Sequence, residues 1–358
     1  MIGSAASDWP AYHLPVASLR FVATAEEAMA LPPHLGSALR GVFGHALKDV
    51  ACLQKEAGAP CAGCREDEVA RADGRATRCV YGYLFETPRL PAAVSGDRRL
   101  EATHPYVIRS VEVPHDVDGR PPAAASGTGD ARLYPAGAPL AFEVNLFGDG
   151  IDHVGVVVEA CVRMLRRGLG AERSVAEVRE LWEQDPFGYA QRSLPFRIDR
   201  AGLTLVAGWG EAVARTRTLA SRSIALQFLT PAYLVRDGQP IDEPEFAVVA
   251  RALLRRLTSL AAHHGGEVPE HAFRQMAWQA EGVRLVPWQG AWREWERYSS
   301  RQDRRMPFGG LVGVAVYEGA LEPYLPYLVY GQATHIGKRC SFGEGRYRIV
   351  GGGVPDNP

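Results

Sequence analysis

The stretch LPPHLGSALRGVFGHALKDVA admits one regular conformation. Leu35, Ala38, Leu39, Val42, Phe43, Ala46, Leu47 and Val50 recur at the i, i+3, i+4, i+7 spacing after a Pro-Pro start, which predicts an amphipathic helix. At 100° per residue, Ser37, Arg40, His45 and Lys48 fall within an arc of roughly 140° on the face turned from the core. A second helix of the same kind is predicted in EPEFAVVARALLRRLTSLAAHHG. There Phe246, Val249, Ala250, Leu253, Leu257 and Leu260 share a face, and Gly265 is the stop.

These helices are set among short runs rich in branched and aromatic residues. Residues 18–24 read as a strand ahead of the first helix, and YGYLFETP, YVIRSVEV and LAFEVNLFG read as strands after it. Residues 151–168 then read as a helix and SVAEVREL as a strand. In the second half SIALQFLTPAYL, ending at Pro231, GGLVGVAVYEG and PYLPYLVYG read as strands around the second amphipathic helix. The order fits two β-α-β-β-α-β halves with antiparallel sheets better than a doubly wound parallel sheet, which needs strict alternation. We expect an N-terminal domain at 1–185 with a mobile loop at 114–139, a linker at 186–220 and a C-terminal domain at 221–358.

A chain of 358 residues, 46% hydrophobic, is long enough for two packed domains. The N-terminal residues lack a basic segment followed by an apolar core, and no window approaches the ~18 apolar residues of a membrane span. The expectation is a cytoplasmic protein with no membrane partner. Net charge is −1, so a polyanion must be met by local patches.

Two such patches are visible. From Arg297 to Arg305, four arginines stand against one aspartate, within a segment that also carries Trp292, Trp295 and Tyr298; Arg297, Arg301 and Arg304 are candidate phosphate partners. Trp292 and Trp295 themselves are read as core. From His335 to Arg348, in HIGKRCSFGEGRYR, four basic side chains stand against Glu344. Neither a Walker loop nor a dinucleotide G-x-G-x-x-G fits this spacing: Gly331 is wrongly placed before Gly337, Arg339 follows Lys338, and Arg348 stands where a third glycine belongs. A glycine-rich loop remains, whose N–H groups together with Lys338, Arg339, Arg346 and Arg348 suit a phosphodiester backbone. The plainer alternative is a tight turn with solvated charges.

Of six cysteines, four are grouped as C-x8-C-x2-C-x14-C at Cys52, Cys61, Cys64 and Cys79. In a reducing compartment this spacing reads as a tetrahedral thiolate site for zinc rather than as disulfides. The polar, glycine-containing residues between them cannot build a core, so a metal would supply the order of insertion 52–79. Cys161 and Cys340 read as isolated structural thiols.

Taken together, GSALRGVFGHAL, the cysteine cluster running into CVYGYLFETP, VNLFG, QFLTPAYLVRDGQPIDEPEF, WERYSSRQ with PFGGLVG, and HIGKRCSFGEGRY resemble the CRISPR-associated endoribonucleases of the RAMP superfamily that mature precursor CRISPR RNA. The resemblance runs from about Leu19 to Arg348. It implies two ferredoxin-like (RRM-like) halves in tandem, the first carrying a small zinc-binding insertion. It also implies metal-independent cleavage of CRISPR repeat RNA by the 2′-hydroxyl, leaving a 2′,3′-cyclic phosphate and a 5′-hydroxyl, with the product retained.

Such chemistry needs one proton taken, one given and a stabilised phosphorane. An imidazole, titrating near ~6.5, suits the proton transfers. His45 is the first candidate, with Lys48 to neutralise developing charge; His34 and His335 are rivals, and a merely solvated His45 is the plain alternative. Arg40, His335, Gly337, Lys338, Arg339, Ser341, Gly343, Gly345 and Arg346 are expected to meet RNA. Subunits of a CRISPR effector complex are further expected partners. The competing function is a non-catalytic RNA-binding subunit of such a complex.

Overall fold

The computed structural model describes residues 11–32, 34–52, 79–87, 103–111, 132–268, 272–299 and 304–350; the side chains of 272–274, 295–299 and 304–307 are outside that description. It divides into two compact units, Val16–Val206 and a second composed of Ala207–Pro358 with Met1–Pro15.

In the first unit, β1 (Val16–Ala25), β2 (Met29–Leu31), α1 (Leu35–Ala51), β3 (Tyr106–Val111), β4 (Arg132–Tyr134), β5 (Pro139–Phe147), α2 (Val154–Arg166), β6 (Ala176–Gln184) and β7 (Gln191–Ser193) follow one another. The main sheet has the order β3-β5-β1-β6-β7, antiparallel throughout. Alternation decides its faces: Leu19, Phe21 and Ala23 of β1 enter a core with Leu39, Phe43 and Leu47 of α1 and Val157, Cys161 and Leu165 of α2. Phe21 lies opposite Phe142, and their rings stack at 4.7 Å.

The second unit holds α3 (Trp209–Thr216), β8 (Ser223–Ala232), the short hairpin β9 (Val235–Arg236) and β10 (Gln239–Pro240), α4 (Phe246–His263), α5 (Ala272–Gln279), β11 (Arg284–Ser299), β12 (Arg304–Glu318), α6 (Leu325–Thr334) and β13 (Tyr347–Val350). Its sheet has the order β11-β12-β8-β13, again antiparallel. Both units thus carry a β-α-β-β-α-β order. Among the described residues no helix is long and apolar enough to cross a membrane.

Several expectations are corrected. YGYLFETP is a π-helical turn, Gly82–Glu86, in place of a strand. Its Phe85 ring sits where a side chain at Gly44 would stand, 2.3 Å from an added Cβ, and Thr87 at φ 38° closes it with N–H to the Gly82 carbonyl. PYLPYLVYG is the helix α6, because an apolar run buried all round has no period to separate strand from helix. The expected helix 151–168 begins only at Val154, after a 3₁₀ turn at Gly148–His153. Of the expected loop 114–139, residues 132–134 pair with Met29–Leu31, and 114–131 lie outside the described residues.

The segment 186–220 is packed rather than a linker. Glu183, fully buried, accepts from Thr204 N at 2.7 Å and Leu205 N at 2.6 Å and pairs with Arg192 at 2.9 Å. Leu194 and Leu203 join the first core, while Trp209 of α3 packs on Tyr327 and Tyr330 of the second. Residues 11–15 go with the second unit: Tyr12 meets Thr258 at 2.7 Å, and Tyr330 donates to the Leu14 carbonyl at 2.9 Å.

Glu183→Ala takes the acceptor from the N–H groups of Thr204 and Leu205 at once and breaks the pair with Arg192. We expect a loss on the order of 3 kcal/mol, seen as a lower urea midpoint at unchanged slope. A loss below about 1 kcal/mol would contradict the role given to this carboxylate.

Candidate nucleic-acid interface

In the second unit the end of β8 and the segment 335–346 are stitched together. Lys338 N donates to the Tyr233 carbonyl at 3.1 Å, Gly345 N to Pro231 O at 2.9 Å, and Ile336 N to Gly345 O at 3.0 Å. Thr230 Oγ1 donates to Gly343 O and accepts from Arg346 N, both at 2.8 Å. The expected cradle of free N–H groups is therefore largely consumed by the fold. The glycines serve this closure: at Gly337, φ 82°, an added Cβ would lie 2.5 Å from Tyr233 O, and at Gly345, φ 70°, 1.8 Å from Ile336 O. Gly343, at φ 82°, ends a 3₁₀ turn of Cys340–Phe342.

His335 is corrected from a surface contact to a buried one. Its ring is fully buried, with Nδ1 2.9 Å from the Glu344 carbonyl. Ser341 is buried too.

What the stitching leaves outside is cationic. Lys338 is exposed and Arg346 half-buried. Arg339, at φ 66°, is held with its guanidinium 3.9 Å from the Phe308 ring centre and 5.0 Å from that of Tyr233, over which Lys338 Nζ also lies at 5.4 Å. Trp292 packs edge-on to Tyr233 at 5.7 Å, lies against Gly309, and donates its indole N–H to Glu294. It is half-buried rather than core. Trp292 and the loop that carries Lys338 and Arg339 thus meet at Tyr233, an aromatic residue that sequence reading did not single out. A guanidinium held between rings loses little entropy when it meets an anion. Arg297, Arg301 and Arg304 cannot be placed on this surface: Arg301 and the side chains of Arg297 and Arg304 lie outside the described residues.

In the first unit two cations of α1 lie over aromatic rings of the segment 81–87. Arg40 lies over the Phe85 ring at 4.4 Å, and Lys48 Nζ is 5.9 Å from the Tyr81 ring. Both therefore turn toward the π-helical turn, and His45 is left exposed. Arg40 also reaches His104 Nε2 at 2.9 Å. Since a guanidinium only donates, Nε2 is the unprotonated nitrogen and Nδ1–H points to Thr87 Oγ1 at 2.8 Å, which donates onward to the Tyr83 and Leu84 carbonyls. His104 gave no signal in the sequence, being joined to Arg40 only by the fold. Beside them the buried Tyr106 hydroxyl is pushed up to about 12, first by burial. His34 stands at the N-terminus of α1, its pKa held below the usual imidazole value by partial burial and then by the charge of Arg132.

Cys52 follows α1 and Cys79 precedes the π-helical turn, both half-buried, and Cys79 Sγ accepts the Gly82 N–H at 3.4 Å. Cys61 and Cys64 lie outside the described residues.

Glu344 is 8% exposed, and its carboxyl is pushed up to about 8 by burial, against the pull of Arg339. Unfolded carboxyls titrate near ~4.3, so between there and about 8 the folded chain holds the extra proton and stability falls as pH rises. Glu344→Gln should flatten that decline in thermal melts from about pH 5 to about pH 8. An unchanged decline would show that the buried carboxyl is not its source.

Comparison with known proteins gives the chemistry a family. Residues 14–196 match the model AF_1859_N, described as an N-terminal domain, and residues 226–347 match the CRISPR-associated endoribonuclease Cas6. No curated protein matches the sequence. A Cas6 (TTHB231) product complex aligns with 94% of this chain and 100% of its own, at 14% identity and a TM-score of 0.52. A partial Cas6-RT-Cas1–Cas2 complex aligns with 96% of this chain and 47% of its own, at 11% identity and the same TM-score of 0.52. The Thermus thermophilus Cas6 (TTHB231) aligns over 97% of this chain and 100% of its own, at 14% identity and a TM-score of 0.46. The first two show a shared fold. Since the N-terminal model spans more than half of the 358 residues, the chain belongs to that family, and with a Cas6 domain in its second unit it is an endoribonuclease of CRISPR precursor RNA processing.

Proposed function

We propose that the chain cuts CRISPR repeat RNA by internal transesterification, with no metal in the reaction, from two ferredoxin-like halves. The ribose 2′-hydroxyl attacks the adjacent phosphorus, forming the O2′–P bond. The P–O5′ bond breaks, giving a 2′,3′-cyclic phosphate and a 5′-hydroxyl. One proton leaves the 2′-oxygen and one reaches the 5′-oxygen. His45, exposed on α1, is assigned the proton transfers, with Lys48 one turn on as charge stabiliser; His34, whose lowered pKa favours the neutral base, is the rival. Histidine and lysine suffice for this chemistry.

The observation that carries the RNA reading is the fixed guanidinium of Arg339 between Tyr233 and Phe308, beside exposed Lys338. A phosphate backbone on this surface explains why cations are ordered there in a chain of net charge −1. Retention of the processed RNA, a cytoplasmic place of action and association with subunits of a CRISPR effector complex complete the proposal.

Zinc is assigned to Cys52, Cys61, Cys64 and Cys79. Cys79 fits, since its sulfur accepts a backbone N–H as metal-bound thiolates commonly do. Bound zinc would cross-link the two ends of the insertion and take no part in cleavage.

Labelled repeat RNA incubated in EDTA should be cut to a cyclic-phosphate product. His45→Ala should lower the single-turnover rate at least ~100-fold with binding retained. Binding without cutting by the unaltered protein would favour the non-catalytic subunit, and full activity of the variant would move the role to His34. For the insertion, elemental analysis should find about one zinc per chain. Less than about half an equivalent in freshly purified protein would count against the site.

A further inference from the structure

Beneath the loop that carries Lys338 and Arg339 lies a buried cation. Arg256 projects from α4 and is 8% exposed. Its Nε donates to the Thr334 carbonyl at 3.2 Å, at the C-terminus of α6 where the loop begins. One terminal nitrogen of its guanidinium meets no hydrogen-bond partner among the described residues. Burial pulls its pKa down, and the ionisable group it feels is the thiol of Cys340, also buried. That thiol donates to the Gly337 carbonyl at 3.3 Å, so it offers no negative charge.

A buried charge without a counter-charge costs the fold several kcal/mol, and apolar side chains of similar volume often replace even paired buried charges without loss. The helix C-terminus offsets part of this cost. It does not require arginine. A charge in a weakly screening interior also acts farther than one in water, and it lies under the same loop whose outer side carries Lys338, Arg339 and Arg346.

We propose that Arg256 is a positioning residue for RNA binding: it anchors the first turn of the loop through Thr334 and supplies a buried positive charge that phosphates on the outer side neutralise. The inference rests on the second unit binding RNA.

The test compares Arg256→Met and Arg256→Lys with the unaltered full chain, using fluorescein-labelled CRISPR repeat RNA at fixed salt alongside thermal melts. Arg256→Met should bind about 10-fold more weakly yet melt within ~3 °C of the unaltered protein or above it, and Arg256→Lys should recover binding to within ~3-fold. Undiminished binding by Arg256→Met overturns the proposal. So does a joint loss of binding and melting temperature in both variants, which assigns Arg256 to the fold alone. Failure of the unaltered protein to bind removes the RNA reading and this inference with it.

Discussion

The bonds between the end of β8 and residues 335–346 are the constraint on which the candidate interface depends. Thr230, Pro231 and Tyr233 give or receive in turn, and the loop has room for this only because Gly337 and Gly345 carry no side chain. With its backbone committed inward, the loop presents side chains outward. Arg339 takes a left-handed conformation and lies between two rings, a strained backbone position held by its surroundings. A motif that looked like a backbone cradle for phosphate is thus a rigid mount for cations.

Much of the fold was legible because its strongest signals are periodic. The amphipathic helices and the branched, aromatic runs pointed to helices set among antiparallel strands, since spacing encodes which face is buried; β11 gave no such signal. Where periodicity failed, so did the reading. α6 is apolar on every side, and the π-helical turn owes its shape to Phe85 filling the space above Gly44, a contact between residues far apart in sequence. The packed segment 186–206 was hidden for the same reason: Glu183 looks like an ordinary surface carboxylate until Thr204 and Leu205 fold back onto it.

The candidate sites were legible as residue types and less so as arrangements. Lys338, Arg339 and the tryptophan-arginine segment stood out by composition, but Tyr233, which joins them, did not. On α1 the helical wheel placed Arg40, His45 and Lys48 on one solvent-facing arc. The aromatic rings of the turn at 81–87 drew the two cations to their own side, and His104 fixed Arg40 further. A wheel knows the direction of each side chain at Cβ; it does not know which long side chain a neighbouring ring will attract.

The central claim is that RNA lies on the second-unit surface formed by Tyr233, Trp292, Lys338 and Arg339. Ultraviolet crosslinking of labelled repeat RNA to the intact protein, with the attached peptides identified by mass spectrometry, tests it most directly. The account predicts crosslinks at Tyr233 or Trp292 and in the segment containing Lys338 and Arg339. Efficient crosslinking confined to other parts of the chain would contradict it.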